Sequence, residues 1–285
     1  MRVAVGVGVA LAAVGLVCFE LGGPWTLGLV TVVLTVCAGE MFSTLPHADH
    51  RPQYRPARFP GLVAVAGLAI APYFQRAFAY PVIFALLVIV LLAWYSFVDL
   101  KASLVSDLGM TLFVVAYVGG LGSFASLILG LGRAGQTGSL SNQGIGVILA
   151  AVMVTVCYDV GAFFTGKQFG RRPLSKLSPN KTLEGLAGGV GAGIVIPTLI
   201  VGVGGIHPVG TNLSTAFTFC LICALMAPVG DLCESAIKRS LGVKDLGVLI
   251  PGHGGVPDRF DAMLFVLPTA YFMARLLQLG APKVF

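Results

Sequence analysis

The sequence predicts an all-α polytopic membrane protein with about nine transmembrane helices, the N-terminus in the cytoplasm and the C-terminus outside. Three observations predict it. Charged residues are only 11% of the 285, with 18 Lys and Arg and 12 Asp and Glu. An ordinary soluble domain carries roughly 25%. That inventory does not cover a water-facing surface, which excludes a soluble enzyme, a disordered chain and a secreted disulfide scaffold. Hydrophobic residues make up 56% and mean hydropathy is +0.92, gathered in runs of roughly 20 residues, the length of a membrane-crossing helix. The basic residues, finally, cluster in alternate connecting segments, as the positive-inside rule requires.

The runs lie near 3–22, 24–41, 60–75, 80–98, 108–131, 144–166, 187–206, 213–231 and 262–280. The first follows Met1 and Arg2, has no evident small-x-small cleavage site at its end and is followed by further spans, so it reads as a span and not as a removable signal. Arg51, Arg55 and Arg58 separate the second from the third, whose end is crowded by Pro72 and Arg76. Lys101 divides the fourth from the fifth, and Arg133 the fifth from the sixth. A basic segment from Lys167 to Lys181 precedes the seventh, and Asp231 ends the eighth. Backbone groups in the bilayer must pair within their own segment, so the spans are expected as helices. The 38 glycines suit close helix approach.

Nine spans place Arg2, Arg51, Arg55, Arg58, Lys101, Lys167, Arg171, Arg172, Lys176, Lys181, Lys238, Arg239, Lys244 and Arg259 on one side. Only Arg76, Arg133, Arg275 and Lys283 fall on the other. The rich side is the cytoplasm. This also accounts for the net charge of +6 without nucleic acid, since the basic residues sit in short loops and not on one soluble face. The six cysteines lie in or beside apolar runs. The Cys220-x-x-Cys223 pair has no second pair or nearby histidine, so it reads as small hydrophobes.

Two glycine motifs carry no function. Gly130-x-Gly132-x-x-Gly135 follows an apolar span and not a strand. Gly161 to Lys167 resembles the start of a P-loop but lacks the hydroxyl that would reach magnesium. The acids carry more. Asp159, Glu184, Asp231, Glu234, Asp245, Asp258 and Asp261 all lie in the second half, at or near the cytoplasmic ends of spans six to nine. An ionised Asp deep in a bilayer costs about 2.5–3.5 kcal/mol on insertion scales. Taken singly, each acid also suits an interfacial ion pair. Together they call for a cation or a polar site.

If the eighth span continues as a helix, Asp231, Glu234, Ser235 and Lys238 share one face, at i, i+3, i+4 and i+7. Asp258 and Asp261 open the ninth. The chain between turns at Pro251 and at Gly252 to Gly255, where glycine allows close backbone approach. Two helix ends thus present carboxylates to each other, ringed by Lys238, Arg239, Lys244, His253 and Arg259. Carboxylates suit a hard divalent ion that also takes phosphate oxygens. The cations suit a polyphosphate. Together they read as phosphoryl or nucleotidyl transfer at the membrane surface.

This stretch resembles the phosphatidate cytidylyltransferase (CDP-diacylglycerol synthase) family. Its pattern Ser-x-apolar-Lys-Arg-x4-Lys-Asp-x-small-x2-apolar-Pro-x-His-Gly-Gly-apolar-x-Asp-Arg-apolar-Asp is met at every specified position from Ser235 to Asp261. Upstream, Asp159-Val-Gly-Ala-Phe163 and Ser178-Pro-Asn-Lys181-Thr182-Leu-Glu184-Gly185 are similar to two further family segments. Phe163, Asn180 and Leu183 stand where the family commonly has Tyr, Lys and Trp. The resemblance covers roughly residues 150–275.

The resemblance implies a membrane enzyme that makes CDP-diacylglycerol and pyrophosphate from CTP and phosphatidic acid. It implies a homodimer in the cell (plasma or inner) membrane with its active site on the cytoplasmic side. Residues 1–142 then hold about five spans. Residues 143–285 form the catalytic region, with cytoplasmic loops 167–186 and 232–261. Magnesium is the implied cofactor, with a second cation left open. Asp231 and Asp258 are the implied metal ligands, and Asp261 stands beside or behind them. Lys238, Arg239, Lys244 and Arg259 would steady phosphates. Ser178, Lys181 and Thr182 in the upstream loop, with Ser235, would contact substrate. His253 would contact the ligand or brace the turn. Other readings are a CTP-dependent lipid kinase, an isoprenoid-glycerophosphate cytidylyltransferase and, from another class, an ion-coupled transporter. The transporter leaves the cationic ring and the His-Gly-Gly turn unexplained.

Overall fold

The computed structural model describes residues 13–45, 55–74, 78–98, 103–131, 143–174, 178, 181–249, 254–277 and 279. The described residues are helical, without strands. A β-bridge joins Pro173 to Thr182. A helical stretch over 13–21 leads into α1 (Gly23–Thr44), which has proline in its first turn, where the missing N–H costs nothing. Next come α2 (Arg58–Ile70), extended by a 3₁₀ turn over Ala71–Phe74, and α3 (Ala79–Phe97). α4 (Leu104–Val114) runs on through a π-helical stretch, Val115–Gly120, towards α5 (Phe124–Gly130). α6 (Gln143–Phe169), α7 (Leu183–Val203), α8 (Leu213–Leu241) and α9 (Pro257–Leu276) complete the order.

Among the described residues six helices are long and apolar enough to cross a membrane: α1, α3, the run Leu104–Gly130, α6, α7 and α8. α2 with its extension, Arg58–Phe74, falls short of the usual length. α9 carries Asp258, Arg259 and Asp261 in its first turns. Half of the expected first span lies outside the described residues, and nine expected spans meet six qualifying helices among the described ones. The helix ends also shift. α8 continues ten residues past Asp231, and α9 begins at Pro257. The expected loop 232–261 is therefore helical at both ends, and the upstream loop shortens to 170–182.

The chain divides into two compact units. The first holds residues 1–130 and 237–260, the second 131–236 and 261–285. In the first unit α2 packs closely on α1, because Gly61 leaves room for the Phe42 ring that a Cβ would overlap. Val65 and Leu68 pack against Gly119 in the π-helical stretch. α3 buries only Leu87, Leu91 and Tyr95, a stripe at i, i+4 and i+8. Its other faces expose Val82, Leu86, Ile89 and Val90. So much outward apolar surface suits lipid and not water. The Tyr95 hydroxyl accepts the Ala57 amide at 2.8 Å and donates to the Arg55 carbonyl at 3.0 Å. Asp107, buried, accepts the Arg55 amide at 2.8 Å.

In the second unit α6 and α7 pack backbone to backbone. The buried face of α7 is Gly185, Gly189, Gly193, Pro197 and Val201, one residue every four. A Cβ on Gly189 would lie 2.9 Å from the Tyr158 carbonyl, and one on Gly161 would lie 2.5 Å from Ala192 Cβ. Small residues at helical spacing allow this approach inside a bilayer, where packing drives association. α8 starts from an Asn212 cap, whose side-chain oxygen accepts the Thr215 amide at 2.7 Å. α8 then meets α9 at Gly230, where a Cβ would come within 2.6 Å of the Asp261 carbonyl.

Candidate active site

The site residues fall into two groups, one in each unit. In the second unit Asp231 is the centre. It sits on α8, and its side chain is 13% exposed. Lys181 Nζ lies 2.7 Å from Asp231 Oδ2, and the Tyr158 hydroxyl donates to the same oxygen at 3.2 Å. Lys181 is presented by a local turn. Its carbonyl accepts the Leu174 amide at 2.7 Å, its amide donates to the Ser178 carbonyl, and Leu183 N reaches the Arg172 carbonyl. Thr182 is spent on structure, since its hydroxyl caps α7 by accepting the Gly185 amide at 3.1 Å. Ser235 likewise donates back to the Asp231 carbonyl at 2.9 Å.

Two more carboxyls crowd Asp231. Glu234 is 3% exposed and Asp261 8%. Burial pushes the Asp261 carboxyl well above the usual carboxylate range. The charges of Asp231 and Glu234, and hydrogen bonds shared with both, push it further. The close passage at Gly230 brings α9 against this face of α8. The i+3 spacing set Glu234 beside Asp231 but gave it no role; packing does. Tyr158 had no signal in the sequence beyond its place next to Asp159.

In the first unit Asp258 is the centre, with its side chain 6% exposed. Oδ1 pairs with Lys238 Nζ at 3.0 Å. The Leu246 amide lies 3.2 and 3.1 Å from its two oxygens, and the Gly255 amide donates to Oδ2 at 2.7 Å. Gly254 has φ +78°, a left-handed backbone that favours glycine. A Cβ there would also sit 2.9 Å from Asp258 Oδ2 and 3.2 Å from Asp245 Oδ1. Lys244 and Arg259 are exposed, as is Arg239 at the end of α8. His253 lies outside the described residues. One unpredicted acid belongs here: Glu40 of α1 accepts the Val248, Leu249 and Val256 amides at 2.6–2.8 Å.

The donor chemistry fits a hard cation. Among the described residues no group of three or more His, Cys, Asp or Glu is arranged to hold a metal ion. Yet Asp231, Glu234 and Asp261 bring three carboxyls together in a buried place, and carboxylates so placed repel one another unless a cation or proton intervenes. Lys181 supplies one positive charge. An oxygen-seeking divalent ion suits the remainder.

The Cytidylyltransferase family profile matches residues 1–277. A phosphatidate cytidylyltransferase of Helicobacter pylori (strain J99) is 36% identical over 210 residues, 70% of this chain and 77% of the relative. One of Staphylococcus aureus (strain COL) is 34% identical over 219 residues, covering 73% and 76%. One of Bacillus subtilis (strain 168) is 41% identical over 143 residues, covering 48% and 51%.

Proposed function

The chain belongs to the cytidylyltransferase family, and from that membership we propose that it is an integral membrane phosphatidate cytidylyltransferase. It joins CTP and phosphatidic acid to give CDP-diacylglycerol and pyrophosphate. The observation that carries this reading is the setting of Asp231, half-buried beside the buried Glu234 and Asp261 and paired with Lys181. That arrangement suits a metal-assisted phosphate reaction, and the similarity to named phosphatidate cytidylyltransferases supplies the substrates.

The phosphate of phosphatidic acid attacks the α-phosphorus of CTP, and pyrophosphate leaves. The nucleophile is already anionic, so general-base work is small. The barrier is the crowding of negative charge and the alignment of two anions. Magnesium, when bound, neutralises that charge and orients the phosphates. By the family pattern Asp231 and Asp258 would hold it, and Asp261 and Glu234 support Asp231 by their burial beside it. Lys238 holds Asp258 in position. Lys181 steadies Asp231 and is available to an incoming phosphate through its exposed side. Arg239, Lys244 and Arg259 are exposed cations suited to the triphosphate and the lipid head group. Ser178 and His253 complete the substrate contacts, while Ser235 and Thr182 act through the backbone they brace.

The remaining topology follows the charge pattern. Nine spans put fourteen of the eighteen Lys and Arg on the cytoplasmic side, with the active site there. The enzyme works in the cell membrane as a homodimer.

The test is pyrophosphate release by the purified protein in mixed micelles with CTP and magnesium. Phosphatidic acid, diacylglycerol or a polyprenol is the lipid. Release with phosphatidic acid alone, together with a CDP-lipid product, is expected. Phosphorylation of a neutral lipid alcohol instead would overturn the reading.

A further inference from the structure

One acid of the first unit has no part in the family motif. Glu40 stands one turn before the end of α1, on a helix otherwise apolar. A carboxylate there is costly unless it meets strong donors. It meets three. Oε1 accepts the amides of Val248 at 2.8 Å and Leu249 at 2.7 Å, and Oε2 accepts the amide of Val256 at 2.6 Å. One turn further along α1, the Thr44 hydroxyl donates to the Leu246 carbonyl at 2.9 Å.

The partners are all backbone groups of the segment that follows α8. The described residues of that segment form no helix or strand, so side chains must satisfy their amides. Two carboxylates divide the work. Asp258 takes Leu246 and Gly255, and Glu40 takes Val248, Leu249 and Val256. The glycines fit this use. A Cβ on Gly247 would overlap the Glu40 carboxylate, and one on Gly255 would lie 2.5 Å from Gly247 Cα and 3.0 Å from Glu40 Oε2.

We propose that Glu40 is a positioning residue for nucleotidyl transfer, holding by three backbone amides the segment that carries Lys244, Asp245 and the approach to Asp258. The inference rests on reading that segment as the substrate-binding one. The chemistry needs a carboxylate and not merely a polar side chain. Both oxygens accept, and an amide in place of the carboxylate would turn an N–H toward one of these N–H groups. It would also remove the charge that strengthens the remaining bonds.

The test uses the full chain in mixed micelles and follows KM for CTP, kcat and thermal unfolding in detergent. Glu40→Gln is expected to raise KM for CTP by about tenfold or more, with a smaller change in kcat and an unfolding midpoint close to that of the wild type. Gly247→Ala, which displaces the carboxylate from the segment's side, is expected to raise KM in the same way. The double variant should cost less than the two single effects combined, because both act on one contact. A role in stability alone would lower the midpoint and the active fraction and leave KM unchanged, and that result overturns the proposal. So does an unchanged KM in both single variants. An inactive wild type would instead defeat the underlying assignment of function, and the two failures are distinguished by that control.

Discussion

At the scale of single residues, the site's acids differ in what surrounds them. Asp258 is enclosed by Lys238 and two amides. Asn in its place retains the shape and an acceptor but loses the charge. Asp258→Asn is expected to lower turnover by at least about a hundredfold while the protein stays folded in detergent; near-normal activity would remove Asp258 from the catalytic group. Asp261 faces two other acids and is held protonated above the usual range. For an acid whose folded pKa is raised, the stabilising contribution is complete below the unfolded value, near 3.8, and is lost as pH rises through the folded value. In chelator, the wild type is therefore expected to unfold at lower temperature at pH 8 than at pH 5. Asp261→Asn should shrink that difference, and thermal scans at the two pH values check it. The acids themselves were legible in the sequence, because Asp and Glu are rare among apolar runs. Their partners were not. Lys181 lies 50 positions from Asp231 and Glu40 more than 200 from the amides it accepts, and spacing carries no information over such separations.

At the scale of elements, the glycines of α7 set the distance to α6, and Tyr158 of α6 donates to Asp231 of α8. Gly189→Val would put branched carbon against the Tyr158 carbonyl and Ala162 Cβ, at 2.9 and 2.8 Å from the first added atom. Such overpacking typically costs about 1–3 kcal/mol. The variant is expected to unfold at lower temperature and to lose activity with it. Gly191→Ala, with nothing within 4 Å of the new Cβ, should be close to neutral. Equal behaviour of the two would show that the α7 stripe is not a packing face. The apolar runs gave the helices to within a few residues at most ends. The apolar run alone stops at Asp231 although α8 continues to Leu241, because Glu234, Lys238 and Arg239 break the apolar run without breaking the helix. Hydropathy marks where lipid-facing residues stop, and a helix stops only when its backbone bonds do.

At the scale of the whole molecule, one chain combines six helices suited to a membrane with acids and cations suited to a polyphosphate reaction. Chelation by EDTA is expected to abolish pyrophosphate release, and added magnesium to restore it. Magnesium should also raise the unfolding midpoint with concentration, as any ligand of the folded state does. A midpoint indifferent to magnesium, with activity intact in EDTA, would exclude a bound divalent ion. The sequence by itself determined the membrane class, the helical architecture, the family and the acids of the site. These depend on composition, on helical period and on a dense local motif. Only the tertiary structure decided which groups each acid meets, that Glu234 joins Asp231 and Asp261, and that Glu40 holds the segment beyond α8. The physical reason is that burial and hydrogen bonding arise from contacts between residues distant in the chain, and close packing at glycines such as Gly230 and Gly247 selects those contacts.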